Sequence, residues 1–120
     1  MDTIQALSKE ENVISYPKER TVFPSPIDFT VSILTCNRLN YTKECLSTLL
    51  EGKNYASFEV IITDNNSKDQ TREYLSAIVD SRVFLVYNSQ NIGFGSAHNH
   101  ALSVAKGKYF IALNNDVILP

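Results

Sequence analysis

The residues best equipped for chemistry gather in four short runs. Asn114-Asn115-Asp116 ends the apolar segment Tyr109-Phe110-Ile111-Ala112-Leu113 with three groups that each offer an oxygen. Thr35-Cys36-Asn37-Arg38 and Asp64-Asn65-Asn66-Ser67 close two earlier apolar segments in the same way, and Gly93-Phe94-Gly95 supplies a glycine-bearing loop. Asp116 is a hard oxygen donor suited to Mg²⁺ or Mn²⁺, ions that take few protein carboxylates and let substrate phosphates complete their shell. A single polar cluster after a strand is usually turn punctuation, because Asn and Asp hydrogen-bond their own turns. Three clusters delivered to one rim of a parallel sheet are a different matter, since ligands bind in the crevice outside the carboxyl ends of such strands.

Other chemistries fit the sequence poorly. Gly93-Phe94-Gly95 lacks a third glycine and does not follow the first strand, so the dinucleotide fingerprint is absent. No G-x-x-x-x-G-K-[ST] loop occurs. His98 and His100 are two apart, which on a helix points them to different faces, so they read as surface or helix-packing residues. Nothing marks a nucleophilic triad. Cys36 and Cys45 show no metal-ligand spacing and read as reduced thiols, one at a strand end and one on an apolar helix face.

The elements that must hold these runs follow from hydrophobic period and punctuation. Strands are expected at 29–34, 58–63, 83–87 and from Tyr109 to Leu113, the last read as a buried strand. Between the first two, Tyr41, Cys45, Leu49 and Leu46, Leu50 recur at four-residue intervals, an apolar helix face that Asn40 or Thr42 can cap and Gly52 can end. A second helix, capped by Ser67 or Asp69, is expected to bury Tyr74, Leu75, Ile78 and Val79. A third is expected to turn Ala97, Ala101, Leu102 and Ala105 inward. The order β-α-β-α-β-α-β implies an α/β fold: a Rossmann-like, mainly parallel sheet with helices on both faces and right-handed crossovers.

Residues 1–27 form a separate region in which Pro17, Pro24 and Pro26 break any long element. It reads as a flexible or loosely docked arm or linker, with an extra strand or partner-binding arm around Val13-Ile14-Ser15-Tyr16 as the alternative. At 120 residues with 43% hydrophobic and 20% charged residues, the chain is one domain at most and small for a complete α/β enzyme. A net charge of −2 without a basic stripe argues against nucleic acid as a partner. The N-terminus lacks the basic start and apolar core of a secretory signal, which points to a cytoplasmic address.

Five motifs, in order and in register, resemble those of family 2 glycosyltransferases of the GT-A fold. The family's V-S-I-I-[IV]-P-T-Y-N-R matches Val31-Ser32-Ile33-Leu34-Thr35-Cys36-Asn37-Arg38, with its proline missing and cysteine replacing tyrosine. C-L-x-S-[LI]-L resembles Cys45 through Leu50, and V-[IV]-V-V-D-N-x-S-x-D-x-T matches Val60 through Thr71. N-x-G-F-[AG]-x-A-x-N matches Asn91 through Asn99, and G-x-Y-[LIV]-x-x-L-[DN]-x-D resembles Gly107 through Asp116. The resemblance covers 28–120, the nucleotide-sugar-binding half, and is nearest to members of rhamnosyltransferase, capsule and O-antigen type.

The resemblance implies a role for each matching position. Thr35, Asn37 and Arg38 line the nucleotide pocket, and Asp64 accepts a hydrogen bond from the base. Asn91, Gly93 and Asn99 shape the loop and helix beside the nucleotide-sugar, while Asn114 lies near the ribose or sugar. Asp116 is the metal ligand, for Mn²⁺ or Mg²⁺. Asn114 stands where the family's D-x-D motif has its first aspartate; an amide keeps a carbonyl donor and loses a charge. The implied donor is a UDP- or dTDP-linked sugar and the acceptor a glycan or lipid-linked glycan. The acceptor half and the general base are expected beyond Pro120, as is any membrane association. The competing class is a non-catalytic nucleotide-sugar-binding module or an inactive remnant.

Overall fold

The computed structural model describes residues 12–51 and 57–115. Five strands form one sheet: β1 (Ile14–Ser15), β2 (Ile27–Thr35), β3 (Phe58–Asp64), β4 (Val83–Asn88) and β5 (Gly107–Asn114). Their spatial order is β1-β4-β3-β2-β5, with β2, β3, β4 and β5 mutually parallel and β1 antiparallel to β4. Three helices connect the parallel strands: α1 (Leu39–Glu51), α2 (Thr71–Ser76) and α3 (Phe94–Val104).

Side chains alternate across a strand, and the sheet sorts its core accordingly. On one face Val31, Ile33, Val60, Ile62 and Leu85 meet Cys45, Leu46 and Leu49 of α1 and Leu75 of α2. On the other, Ile61 and Val86 meet Ala101 of α3. Because both faces are covered, all seven residues of β3 are buried, as a central parallel strand requires. The α/β architecture read from the sequence is therefore the observed one.

Several expectations are corrected. Of the two readings of the arm, the extra strand replaces the flexible linker: β1 pairs with β4, and Tyr16 stacks on Phe84 with ring centroids 5.4 Å apart. The final strand is not buried. β5 bonds only to β2 among the described strands, and Tyr109 and Ile111 are 54% and 42% exposed. Helix α1 already begins at Leu39, so Asn40 and Thr42 lie inside it and cap nothing. Tyr41 is exposed beside its first turn.

Helix α2 stops at Ser76, where the chain turns and Asp80 takes over the backbone N–H of Arg82 at 2.9 Å. Val79 is thereby left 95% exposed. Asp69 does serve the start of α2, accepting from the N–H and hydroxyl of Thr71, whereas Ser67 is turned toward Asp64. On α3 the sheet-facing stripe is Ala97, His98 and Ala101; Leu102 has rotated past it and is exposed. Gly52, Asp116 and the start of the arm lie outside the described residues.

Gly107 is fixed by close approach. A Cβ there would stand 2.4 Å from the backbone N of Thr30, so only glycine lets β5 lie beside β2 at this register.

Candidate functional site

Parallel register carries the polar clusters to one rim. Thr35 pairs with Asp64, Leu34 with Asn114, and Asp64 with Tyr87. The loops that follow are held in uncommon conformations: Asn37, Arg38 and Asn66 have φ of 60°, 57° and 64°. Non-glycine residues in this left-handed region cost free energy and persist where the surroundings over-determine them. Here they are over-determined. The N–H of Asn37 donates to Ser67 Oγ at 2.7 Å, and Asn37 Oδ1 accepts from the N–H groups of Lys68 and Asp69 at 2.7 and 3.3 Å.

Asp64 is fully buried and its carboxylate is used within the protein. It accepts from the N–H of Ser67 at 3.0 Å, from the Ser67 hydroxyl, and from Arg72 Nε at 2.6 Å. Arg72 in turn donates to the Asn88 carbonyl and lies over the Tyr87 ring at 4.7 Å. Thr35 is also turned inward, sharing a 2.8 Å hydrogen bond with Thr42 Oγ1. These two residues brace the rim from below.

Asn65, which the sequence reading passed over, is the hub. Its Oδ1 accepts from Asn88 Nδ2 at 2.8 Å and more weakly from the N–H of Ile92, while its Nδ2 donates to Asn91 Oδ1 at 3.3 Å. Its backbone carbonyl accepts from Cys36 Sγ at 3.3 Å and its N–H donates to the Thr35 carbonyl at 2.8 Å. One buried asparagine thus joins three loops, its carboxamide reaching the 88–93 loop and its backbone the loop after β2. The available signal was its place in Asp64-Asn65-Asn66-Ser67, but a one-dimensional run does not say which of four polar residues faces inward. Asn91 completes the loop by accepting from the Gly93 N–H at 2.8 Å, and Gly93, at φ 85°, starts α3.

Between β2, β5 and the start of α3 lies a cavity of about 250 Å³, lined by Leu34, Cys36, Arg38, Phe94, Leu113, Asn114 and Asn115. A second, of about 750 Å³, is lined by Arg38, Leu39, Asn40, Tyr41, Lys68, Asp69, Gln70 and Glu73. Arg38 belongs to both and has Tyr41 beneath it at 6.0 Å. Asp69 carries a carboxyl held below its usual range by the hydrogen bond from Thr71, so its negative charge persists at neutral pH. Of the residues singled out from the sequence, Arg38 and Asn114 line the smaller cavity directly. Asn37, Asp64, Asn91 and Gly93 hold the loops around it, and Asn99 is exposed on α3 outside the lining of either cavity.

Among the described residues no three His, Cys, Asp or Glu side chains gather to hold a metal ion. The oxygen donors at the smaller cavity are the amides of Asn114 and Asn115. Amide oxygens suit a hard cation but supply no charge.

An open α/β sheet with strained, polar loops at the carboxyl ends of its strands is the frame of a nucleotide-binding domain. Comparison with known sequences agrees and is more specific: the chain belongs to glycosyl transferase family 2, whose model matches residues 30–120. It is 39% identical over 62 residues to the UDP-Glc:alpha-D-GlcNAc-diphosphoundecaprenol beta-1,3-glucosyltransferase WfaP of Escherichia coli, covering 52% of this chain and 25% of that protein. It superposes on S. aureus TarS 1-349 in complex with UDP-GlcNAc with a TM-score of 0.69 and 27% identity, over 75% of this chain and 27% of that one. It also superposes on the mannosyltransferase PcManGT of Pyrobaculum calidifontis, solved with GDP-Man and Mn²⁺, with a TM-score of 0.68 and 27% identity, over 87% and 32%. The chain thus spans about a quarter to a third of the length of these relatives.

Proposed function

We propose that residues 28–120 are the donor-binding half of an inverting glycosyltransferase that moves a sugar from a UDP- or dTDP-linked donor to a glycan or lipid-linked glycan. The observation that carries this reading is the convergence of the β2 and β5 strand ends and the start of α3 on one cavity that Arg38 and Asn114 line together, with the β3 end bracing the β2 loop beside it. That cavity, about 250 Å³, is smaller than the roughly 300–1,000 Å³ of ordinary ligand sites. In this proposal Arg38 faces the diphosphate, where a guanidinium recognises phosphate oxygens with paired donors. Asn114 faces the ribose or sugar. Asn37, Asp64, Asn65 and Asn91 fix the loops so that few side chains need ordering when the nucleotide arrives, which favours affinity.

A divalent cation on Asp116 would neutralise the diphosphate as it leaves the anomeric carbon. Asn114, as a neutral neighbour, makes that site weaker than one with two carboxylates. The cytoplasmic address belongs to the same proposal, and among the described residues no helix is long and apolar enough to cross a membrane.

The test is thermal unfolding with uridine and deoxythymidine diphosphates, with and without Mn²⁺. A ligand that binds only the folded state adds RT ln(1 + [L]/Kd), about 2.7 kcal/mol at a hundredfold excess over Kd. The expected result is a shift that needs Mn²⁺ and is lost in Asp116→Ala. A folded chain whose unfolding no nucleotide alters would overturn the proposal in favour of a module or remnant that does not bind donor.

A further inference from the structure

His98 is a buried, titratable residue that the reading above leaves unused. It is 7% exposed on the sheet-facing stripe of α3, and its Nδ1 shares a 2.8 Å hydrogen bond with Ser32 Oγ, itself buried at the middle of β2. Its other ring nitrogen, Nε2, is buried with no hydrogen-bond partner. One turn earlier, the Phe94 ring meets the imidazole edge-on, with centroids 4.4 Å apart. Phe94 is also the one residue of α3 that lines the smaller cavity.

We infer that His98 is a positioning residue for this cavity. Through Ser32 it pins the first turns of α3 to β2, and its ring edge sets Phe94 in the cavity wall beside Arg38 and Asn114. The inference rests on the proposed donor site only for its consequence, nucleotide affinity; the coupling of His98 to Phe94 stands on the contacts themselves.

The arrangement has a protonation requirement. A neutral imidazole satisfies Nδ1 with Ser32, in either tautomer, and leaves one orphan nitrogen. An imidazolium carries N–H on both nitrogens, and the second donor and the charge would be buried without an acceptor. Burial holds the His98 pKa below its ordinary value, with no charged neighbour contributing. The charged and titratable groups on the surrounding elements lie elsewhere: Asp64 of β3 is paired with Arg72, and Asp28 is exposed near the start of β2. Glu59 of β3 and Arg20 of the arm are paired with each other, Lys108 of β5 lies over Tyr109, and His100 of α3 bonds Tyr16. Among the described residues none accepts a hydrogen bond from Nε2, so protonation displaces the ring and releases Phe94.

The first experiment needs no ligand. Nuclear magnetic resonance of the free protein from pH 8 to 5 should show His98 titrating below an ordinary imidazole, about 6.5. The Phe94 ring signals and the Gly93 amide should move with the same midpoint. Phe94 signals that ignore the His98 titration would overturn the inference. The second uses uridine diphosphate. Affinity should fall as His98 protonates, and roughly five- to tenfold in His98→Leu or Ser32→Ala at neutral pH, about what one buried hydrogen bond sustains. His98→Asn, whose carboxamide reaches Ser32 from the place of Nδ1, should restore affinity and flatten the pH profile. Variants that are less stable but bind the nucleotide with unchanged affinity and pH profile would reduce His98 to a packing residue. Should Phe94 follow His98 while the wild type binds no nucleotide, the coupling holds and the donor-site proposal falls.

Discussion

β3 and β5 are written in nearly the same alphabet and meet opposite fates. Phe58-Glu59-Val60-Ile61-Ile62-Thr63-Asp64 is buried at every position, whereas in Gly107-Lys108-Tyr109-Phe110-Ile111-Ala112-Leu113-Asn114 no position is fully buried. The difference is place in the sheet. β3 has a strand on either side and helices over both faces; β5 has β2 on one side and, among the described residues, nothing on the other. An apolar run alone does not record whether a strand is covered on one side or on both. β5 therefore holds the polar end of the proposed site on a strand paired, among the described residues, along one edge alone.

The sharpest way to probe that contrast is to truncate the same residue in both strands. Ile62 is 0% exposed and Ile111 is 42% exposed. Ile62→Ala should cost about 2–5 kcal/mol, the usual range for a core isoleucine that leaves a cavity. Ile111→Ala should stay within about 1 kcal/mol, as surface substitutions do. Urea denaturation of both variants checks it, and similar losses would mean that β5 is covered in solution.

The far end of the same two strands gives a second comparison, this time through charge. Glu59 is 1% exposed and accepts from Thr30 Oγ1 and the Lys106 N–H at 2.7 Å each, besides its ion pair with Arg20. Arg20→Ala removes the countercharge and leaves a buried carboxylate. Breaking buried pairs costs about 3–5 kcal/mol in general; two surviving hydrogen bonds should hold the loss here to about 2–3. Arg20→Ala with Glu59→Gln should recover much of it, because the neutral amide needs no cation. Gly107→Ala, which forces a Cβ against Thr30, should cost about 1–3 kcal/mol as overpacking does. Its effect should concentrate on β5, visible as faster hydrogen exchange there than in β3.

How far the sequence reaches follows from the same elements. The four parallel strands, the helices between them and the rim they share were legible, because period, glycine punctuation and strand-end polarity agree at each. Burial was legible for β3, where continuity of apolar residues matches two-sided cover, and illegible for β5. The inward side of α3 was half legible. Ala97 and Ala101 faced in as expected, but Leu102 did not, since a stripe this narrow is set by close approach of small residues and not by hydrophobicity. The motif register named Arg38 and Asn114, which line the smaller cavity, yet gave no sign that Asp64 would be satisfied by Ser67 and Arg72. Partners that lie 3 and 8 residues away in sequence fold back through a turn that no single run predicts. The arm stayed between two readings because a two-residue strand has no period to read; the extra strand at Ile14–Ser15 is the observed one, and what docks it is Tyr16 on Phe84 and His100, and Arg20 on Glu59.

The gentlest test separates the two histidines of α3 by what each leans on. Burial lowers the pKa of both His98 and His100 from 6.5, so the folded protein binds protons less readily than the unfolded chain between 6.5 and the lower folded values. Stability rises with pH wherever the unfolded state binds more protons. The histidine contribution is therefore fully present above about pH 6.5 and is lost as pH falls through the folded pKa values. Urea midpoints should decline modestly from pH 7.5 to 5.5, before Asp69 and Asp80, whose pKa values lie below 3.8, begin to protonate. His100 shares its Nε2 with the Tyr16 hydroxyl at 2.8 Å, so part of the decline belongs to the arm. Tyr16→Phe should lower the midpoint at neutral pH and shrink the acid decline by the part that the Tyr16 hydroxyl adds to burial in holding His100 neutral. A decline of unchanged size in that variant would mean that burial alone sets the His100 contribution and that the hydroxyl adds nothing to it.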